Sequence, residues 1–329
     1  MNLNEFNSLT ELFFNQVTKQ NPNTDFLEWL NPKNKKKYTW GETSTSIQKL
    51  AKFLNDNILE GDRCLLVSEN RPEGMIADIA IMLANGITVP AYTTYTEKDY
   101  RYLIEDCQPS VIIVSNNEMH DKLKNIIREK IFIKKVITFD ELKIIEQKDK
   151  YLKFDSIIKN KLDEKNNIIN KNLKRNSPAC IIYTSGTSGN PKGVVLSHGG
   201  ILNNIEGAQE ILKPLIDKKP IFLTWLPLSH SYEHTVQFVQ IAVSAKVFYA
   251  EKIEKLLENI SQAQPTIMTA VPRFYQNLYN KININMKKAT GLKAKLIKIT
   301  ISLGKKKLLK ENMSFSEKLM NSLVNVLVR

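Results

Sequence analysis

The stretch from Tyr183 to Gly193 reads Tyr-Thr-Ser-Gly-Thr-Ser-Gly-Asn-Pro-Lys-Gly, and its residue types suit one kind of chemistry. Gly186 and Gly189 permit positive φ and close backbone approach, so successive amides can point into one concavity. Thr184, Ser185, Thr187 and Ser188 add hydroxyls for anionic oxygens, and Lys192 brings a positive charge at the end of the loop. Such a device binds a polyphosphate. A Walker A loop would need Gly-x-x-x-x-Gly-Lys-Ser/Thr running into a helix. Here Lys192 precedes Gly193 and the β-type run Val194-Val195-Leu196, so that alternative fails twice. A Ser/Thr/Gly surface turn is the bland alternative, and the ordered string of residues speaks against it.

A second cluster spans residues 225–234, Trp-Leu-Pro-Leu-Ser-His-Ser-Tyr-Glu-His. His230, Glu233 and His234 match His-x-x-Glu-His, which on a helix would set two imidazoles on one face with a glutamate as base. The motif specifies few positions and lacks a third ligand, so a zinc hydrolase is an alternative without further support. For His234 a helix position satisfied by a local partner is the plainer reading. Cys64, Cys107 and Cys180 lie far apart, without Cys-x-x-Cys spacing. Each sits in or beside an apolar segment, as small buried hydrophobes of a reducing compartment do.

The elements that must position these residues alternate from about residue 40. Ile47, Leu50, Ala51, Leu54 and Ile58 recur at helical spacing after Gly41-Glu42-Thr43-Ser44, which offers a cap. Cys64 to Val67 predicts a buried strand, Pro72 opens a helix that Gly86 stops, and Ile87 to Val89 predicts a second strand. Thr96 caps a helix bearing Tyr100, Leu103 and Ile104, and Val111 to Val114 is another β-branched run. Residues 140 to 175 break the rhythm and read as a helical or irregular connector. Strands follow at Ala179 to Tyr183 and Gly193 to Leu196, then a helix with Ile201, Leu202, Ile205, Ala208 and Leu212. Further strand candidates are Ile221 to Leu223, Lys246 to Tyr249 and Thr266 to Ala270. Strands alternating with helices imply parallel pairing with both faces covered.

The chain's 329 residues suggest about two domains, and 42% hydrophobic content suffices for a large core. The formal net charge is +13, with Lys supplying 40 of the 47 basic residues. Arg, whose planar fork nucleic-acid readers favour, is scarce. The Lys residues read as a scattered compositional bias with short clusters at Lys35-Lys36-Lys37 and Lys305-Lys306-Lys307. No nucleic-acid partner is expected, while the charge is compatible with attraction to an anionic membrane surface. The N-terminus lacks the layout of a signal peptide and no apolar run approaches ~18 residues, so a cytoplasmic protein, peripheral at most on the inner membrane surface, is expected.

Tyr183 to Gly193 resembles the signature of the adenylate-forming enzymes, which include acyl-CoA synthetases, luciferases and peptide-synthetase adenylation domains. The resemblance implies that Thr184, Ser185, Gly186, Thr187, Ser188, Gly189 and Lys192 hold ATP phosphates while a carboxylate attacks the α-phosphate. It makes Thr184 the candidate ligand for Mg2+, and Thr184, Lys192 and His230 the candidate catalytic groups. Pro227 to His230 resembles the family's Pro-Leu-Ser-His segment between nucleotide and acyl group, which implies that His230 and Tyr232 line the substrate pocket. Gly61-Asp62-Arg63, Ser68 to Glu73, Val89 to Tyr95 and Val271-Pro272-Arg273 with Phe274 and Tyr275 resemble the long-chain acyl-CoA synthetases. For Arg71 and Arg273 a structural place at strand ends and caps competes with any role in chemistry.

The implied architecture is α/β, with parallel sheets in layered αβα lobes that are incomplete at the C-terminus. Residues 1–175 would form a first lobe plus connector, and 176–329 a truncated second lobe carrying the loop. The family's later acidic metal-binding and ribose-binding segments and its mobile C-terminal domain are not seen, and the chain stops inside an amphipathic pattern, so a fragment is expected. The implied reaction makes acyl-AMP from a long-chain fatty acid and ATP, then acyl-CoA from coenzyme A, and this fragment is expected to complete neither step alone. A carrier-protein ligase or other adenylation enzyme, and a non-enzymatic nucleotide- or lipid-binding lobe, are the alternatives.

Overall fold

A computed structural model describes residues 2–143, 148–160, 172–184, 190–216, 219–309, 312 and 314–327. It divides into two compact units, Met1–Thr269 and Ala270–Arg329.

The larger sheet of the first unit contains β3 (Arg63–Val67), β4 (Ile87–Ala91), β5 (Val111–Val114), β6 (Lys135–Thr138), β7 (Tyr151–Lys153), β8 (Pro178–Thr184) and β9 (Lys192–Ser197). Their order is β7-β6-β5-β3-β4-β8-β9. All neighbours are parallel except β8 and β9, which form an antiparallel hairpin. Parallel strands bury both faces, which explains why Cys64 to Val67 and Val111 to Val114 are continuous apolar runs. Successive side chains alternate between two cores. Leu65, Val67, Ile112, Val114 and Tyr183 enter one, and Cys64, Leu66, Val111, Ile113, Cys180 and Ile182 enter the other.

Four helices matter for the site. The helix α3 (Pro72–Leu83) has Pro at its first turn and is buried on every side, acidic Glu73 and Asp78 included. On the other face α4 (Glu97–Cys107) starts with a Thr96/Asp99 capping box and buries Tyr100, Leu103, Ile104 and Cys107. The helix α8 (His198–Leu212) is capped by the Ser197 side chain, and α9 (Ser231–Ala242) by His230. Shorter helices α5 (Asn117–Asp121), α6 (Lys124–Glu129) and α10 (Leu256–Ala263) complete the connections.

The smaller sheet has the order β10-β11-β1-β2, from β10 (Ile221–Thr224), β11 (Lys246–Tyr249), β1 (Asp25–Trp29) and β2 (Lys37–Thr39). The first 40 residues therefore carry structure that periodicity did not reveal, including α1 (Leu9–Lys19). The helix α2 (Trp40–Asn55) begins with a capping box between Thr39 and Glu42, upstream of the expected cap. Within the expected connector, Tyr151–Lys153 is an edge strand and α7 (Phe154–Lys159) buries Phe154 and Ile157. Thr266 to Ala270 is not a ladder strand; it contributes one bridge, Phe222 to Ile267.

Both sheets cross the expected lobe boundary near residue 175. Cys180 of β8 pairs with Thr88 of β4, and β1 pairs in parallel with β11. The first compact unit accordingly runs to Thr269. The second unit contains α11 (Pro272–Lys287), α12 (Gly291–Leu308) and α13 (Phe315–Leu327). Thirteen of the 47 basic and two of the 34 acidic residues fall in Ala270–Arg329, so this unit holds +11 of the chain's +13. The excess charge is concentrated rather than scattered.

Candidate functional site

The β8–β9 hairpin pairs residues from Pro178 with Ser197 to Thr184 with Lys192. It thereby places the two ends of the predicted polyphosphate loop directly opposite each other, both exposed. Cross-strand partners point to the same face of a sheet. Thr184 and Lys192 therefore share the face of Cys180 and Ile182, where α8 and α9 pack, while Tyr183 projects to the α4 side. Ser185, Gly186, Thr187, Ser188 and Gly189 lie outside the described residues.

Gly193 has a steric reason. A Cβ there would stand 2.9 Å from Ile181 Cγ2 and 3.2 Å from Tyr183 Cζ, because the Tyr183 ring crosses its β9 partner. Any other residue would have to displace one of these side chains.

His230 is exposed and turned to the start of α9, where its Nδ1 accepts from the Tyr232 amide at 3.2 Å. Tyr232, 53% exposed, lines a cavity of about 780 Å³. Leu196, Ile201, Phe222, Val236 and Val239 supply much of its apolar wall, with Thr269 as a polar group. The volume and lining suit an apolar ligand. Of the two residues assigned to a substrate pocket by resemblance, Tyr232 thus stands in the cavity wall and His230 caps the helix beside it.

The three side chains of the His-x-x-Glu-His pattern have separate partners. His234 is 1% exposed and its Nε2 lies 2.9 Å from Asp78 Oδ2 of α3, a close ion pair. Its Nδ1 faces Cys180 Sγ of β8 at 3.7 Å. Burial opposes its charge, but Cys180 and the Asp78 carboxylate outweigh burial and hold the imidazole well above its usual range. The partners are thus distant in sequence, not local. Gln237 Nε2 donates to the same Asp78 oxygen at 2.7 Å. Glu233 Oε2 accepts from Thr269 Oγ1 at 2.9 Å, and burial pushes its carboxyl up to about 7 against that hydrogen bond. Among the described residues, no group of three His, Cys, Asp or Glu side chains could hold a metal ion. The physical result is a lock between β8 and α9. Cys180 sits four residues before Thr184, and His234 four after His230.

Sequence reasoning missed Asp78 and Gln237. The signal was an acid in a helix with no polar face, since a carboxylate on a helix buried all round needs a partner. Arg71, for which the sequence admits both a structural and a chemical role, is completely buried at the α3 N-terminus and pairs with Glu73, Glu69 and Asp140. Arg273 lies exposed in the first turn of α11.

Residues 13–327 match the family described as AMP-binding enzyme. Long chain acyl-CoA synthetase 3 of Arabidopsis thaliana is 27% identical over 282 residues, covering 79% of this chain and 41% of that protein. Long-chain-fatty-acid–CoA ligase FadD15 of Mycobacterium tuberculosis is 25% identical over 256 residues, covering 75% of this chain and 41% of its own length. The chain spans about two fifths of the length of these relatives. In fold it is similar to ATP-bound MatB from Rhodopseudomonas palustris, with a TM-score of 0.66, 22% identity, and coverage of 83% of this chain and 51% of that one. The luciferase-like enzyme from the nonluminescent mealworm Zophobas morio aligns with a TM-score of 0.70 at 18% identity, over 85% of this chain and 63% of its own. With the hairpin, the α/β sheet and a family match that covers nearly its whole length, this chain belongs to the AMP-binding enzymes.

Proposed function

We propose that this chain is the nucleotide-gripping part of an AMP-forming ligase that activates a long-chain fatty acid and passes it to coenzyme A. The observation that carries this reading is the pairing of Thr184 with Lys192 at the mouth of a hairpin, on the sheet face that α9 covers, with Tyr232 lining an apolar cavity. Lys192 supplies the positive charge for phosphate oxygens and Thr184 a hydroxyl. That hydroxyl is a hard oxygen donor suited to Mg2+, which would neutralise phosphate charge when bound. In the proposed reaction a carboxylate oxygen of the acyl group attacks the α-phosphorus of ATP, and pyrophosphate leaves with its bonding electrons. The coenzyme A thiol, losing its proton, then takes the acyl group and releases AMP. The apolar cavity supports a hydrocarbon substrate, and the similarity to long-chain synthetases supports the acid-thiol class.

Lys192→Ala is expected to weaken MgATP binding about 10- to 100-fold, the range of a lost charge-assisted hydrogen bond. Isothermal titration calorimetry measures this. Unchanged affinity removes Lys192 from the phosphate site, and a wild type that binds no MgATP overturns the reading as a whole.

We also assign the Ala270–Arg329 unit to a peripheral contact with anionic lipid. Its +11 charge accompanies exposed Tyr275, Tyr279, Ile282 and Ile301, the combination that favours an interfacial helix. No described helix is long and apolar enough to cross a membrane. Co-sedimentation with phosphatidylserine vesicles, reversed by added salt, is the expected result. Equal binding to neutral phosphatidylcholine vesicles contradicts it.

A further inference from the structure

The two residues that end the hairpin, Thr184 and Lys192, are each preceded by a residue tied to the same helix. Before Thr184, the Tyr183 hydroxyl donates to Asp106 Oδ2 at 2.5 Å. Before Lys192, the Pro191 carbonyl accepts from the Tyr102 hydroxyl at 3.0 Å. Tyr102 and Asp106 are four residues apart on α4 and so share one face of it. The helix is itself fixed, by the Thr96/Asp99 box at its start and by Tyr100, Leu103, Ile104 and Cys107 in the core. Tyr183 is 3% exposed, and its ring lies across Gly193, where a Cβ would press against it.

We propose that α4 braces the hairpin stem, with Tyr102, Asp106, Tyr183 and Gly193 as positioning residues that set Thr184 and Lys192 for phosphate. The proposal rests on the reading of that stem as a phosphate site. Its physical sense is that β9 is the edge strand of its sheet, hydrogen-bonded on one side only, to β8, so the sheet alone leaves the Lys192 side of the hairpin without a neighbour on its outer edge. Sheet edges of this kind fray unless something covers or ties them. Two phenol hydroxyls, one to each side of the hairpin, supply the tie. Preorganising the two ligands before phosphate arrives reduces the ordering entropy that binding must otherwise meet.

The test compares wild type with Tyr102→Phe, Tyr183→Phe and the double variant, each of which keeps its aromatic ring. Amide hydrogen exchange is followed across residues 179–184 and 192–197, and inorganic pyrophosphate binding is measured by calorimetry. In the double variant, exchange in the hairpin is expected to quicken at least about tenfold, with β3 and β5 unchanged, and pyrophosphate affinity to fall about five- to tenfold. Tyr102→Phe alone, at a half-buried site, should show part of both effects even if variants at Tyr183 fold poorly. Unaltered hairpin exchange, or faster exchange with unaltered affinity, overturns the proposal. A wild type that binds no pyrophosphate, with exchange still quickened in the variants, refutes the phosphate reading of the stem and with it the positioning role, and leaves α4 as a structural tie.

Discussion

Arg71→Met is expected to lower the stability of the protein by about 3–5 kcal/mol, measured by equilibrium denaturation of the whole chain. The Arg71 side chain is 0% exposed and grips Glu73, itself 1% exposed, through Nε at 3.0 Å and Nη2 at 3.1 Å. Nη2 also reaches Asp140 at 3.1 Å, and Nη1 reaches Glu69 at 3.4 Å. The guanidinium stands 4.4 Å from the centre of the Trp29 ring. Methionine would fill most of the volume, so lost packing is the smaller part of the cost. The larger part is Glu73, which would keep Lys36 at 3.7 Å as its cationic neighbour. A buried carboxylate with so distant a partner is expensive, whereas a neutral pair of similar shape is not. Arg71→Met combined with Glu73→Gln should therefore recover much of the loss, a coupling that a double-mutant cycle reads directly. If Arg71→Met stays within about 1 kcal/mol of wild type, the cluster contributes little and the Glu73 argument fails.

The elements legible in the sequence are those whose local pattern matches their burial. Cys64 to Val67 and Val111 to Val114 lie inside a parallel sheet and are apolar on both faces. Strand β1, Asp-Phe-Leu-Glu-Trp, instead carries acids at both of its half-buried positions. Of its two partners, β11 is more than 200 residues away and β2 is a strand of only three residues, Lys-Tyr-Thr, so little in the local pattern announces it. The helix α7 is hidden in another way. Lys143, Lys148, Lys150 and Lys153 crowd the segment before it, and its only buried side chains are Phe154 and Ile157, too few to set up a visible period.

The site divides similarly. Thr184 and Lys192 are readable because the loop is one continuous string, and a string survives without knowledge of the fold. Asp78, Cys180 and His234 meet only once three separate elements are packed, so their partnership has no local signature. Arg71 and Glu73 are adjacent in sequence, yet Asp140 joins them from the far end of β6. The charge of the last 60 residues reads as scattered along the sequence, and only the division at Thr269 makes it the property of one unit.

Glu233→Gln is expected to make the protein more stable above pH 7, by up to about 3 kcal/mol, and to give it a rising stability between pH 4.5 and 6.5. Three buried groups set this. Burial pushes the Glu233 carboxyl from 4.5 up to about 7, so the stability it contributes is present below pH 4.5 and lost as pH rises through 7. Burial pushes the His198 imidazole from 6.5 down to about 4, with Asp78 opposing, so its contribution is present above pH 6.5 and lost as pH falls through 4. Each shift corresponds to about 3 kcal/mol, and the slopes are opposite between pH 4.5 and 6.5, where the two largely cancel. His234 is held protonated beside Asp78, so its contribution is complete below pH 6.5 and is lost as pH rises through its raised value. Wild type should thus show a nearly level stability from pH 4.5 to 6.5 and a decline above it. Glutamine at 233 keeps the shape and can still accept from Thr269, but it cannot ionise. The His198 contribution is then left unopposed, and stability should climb between pH 4.5 and 6.5. Denaturant midpoints taken across pH 4.5 to 8 read both the slope and the gain. A Glu233→Gln profile parallel to that of wild type would show that the Glu233 carboxyl titrates alike in the folded and unfolded chain, and burial in the first turn of α9 would then exert no net pull on its proton.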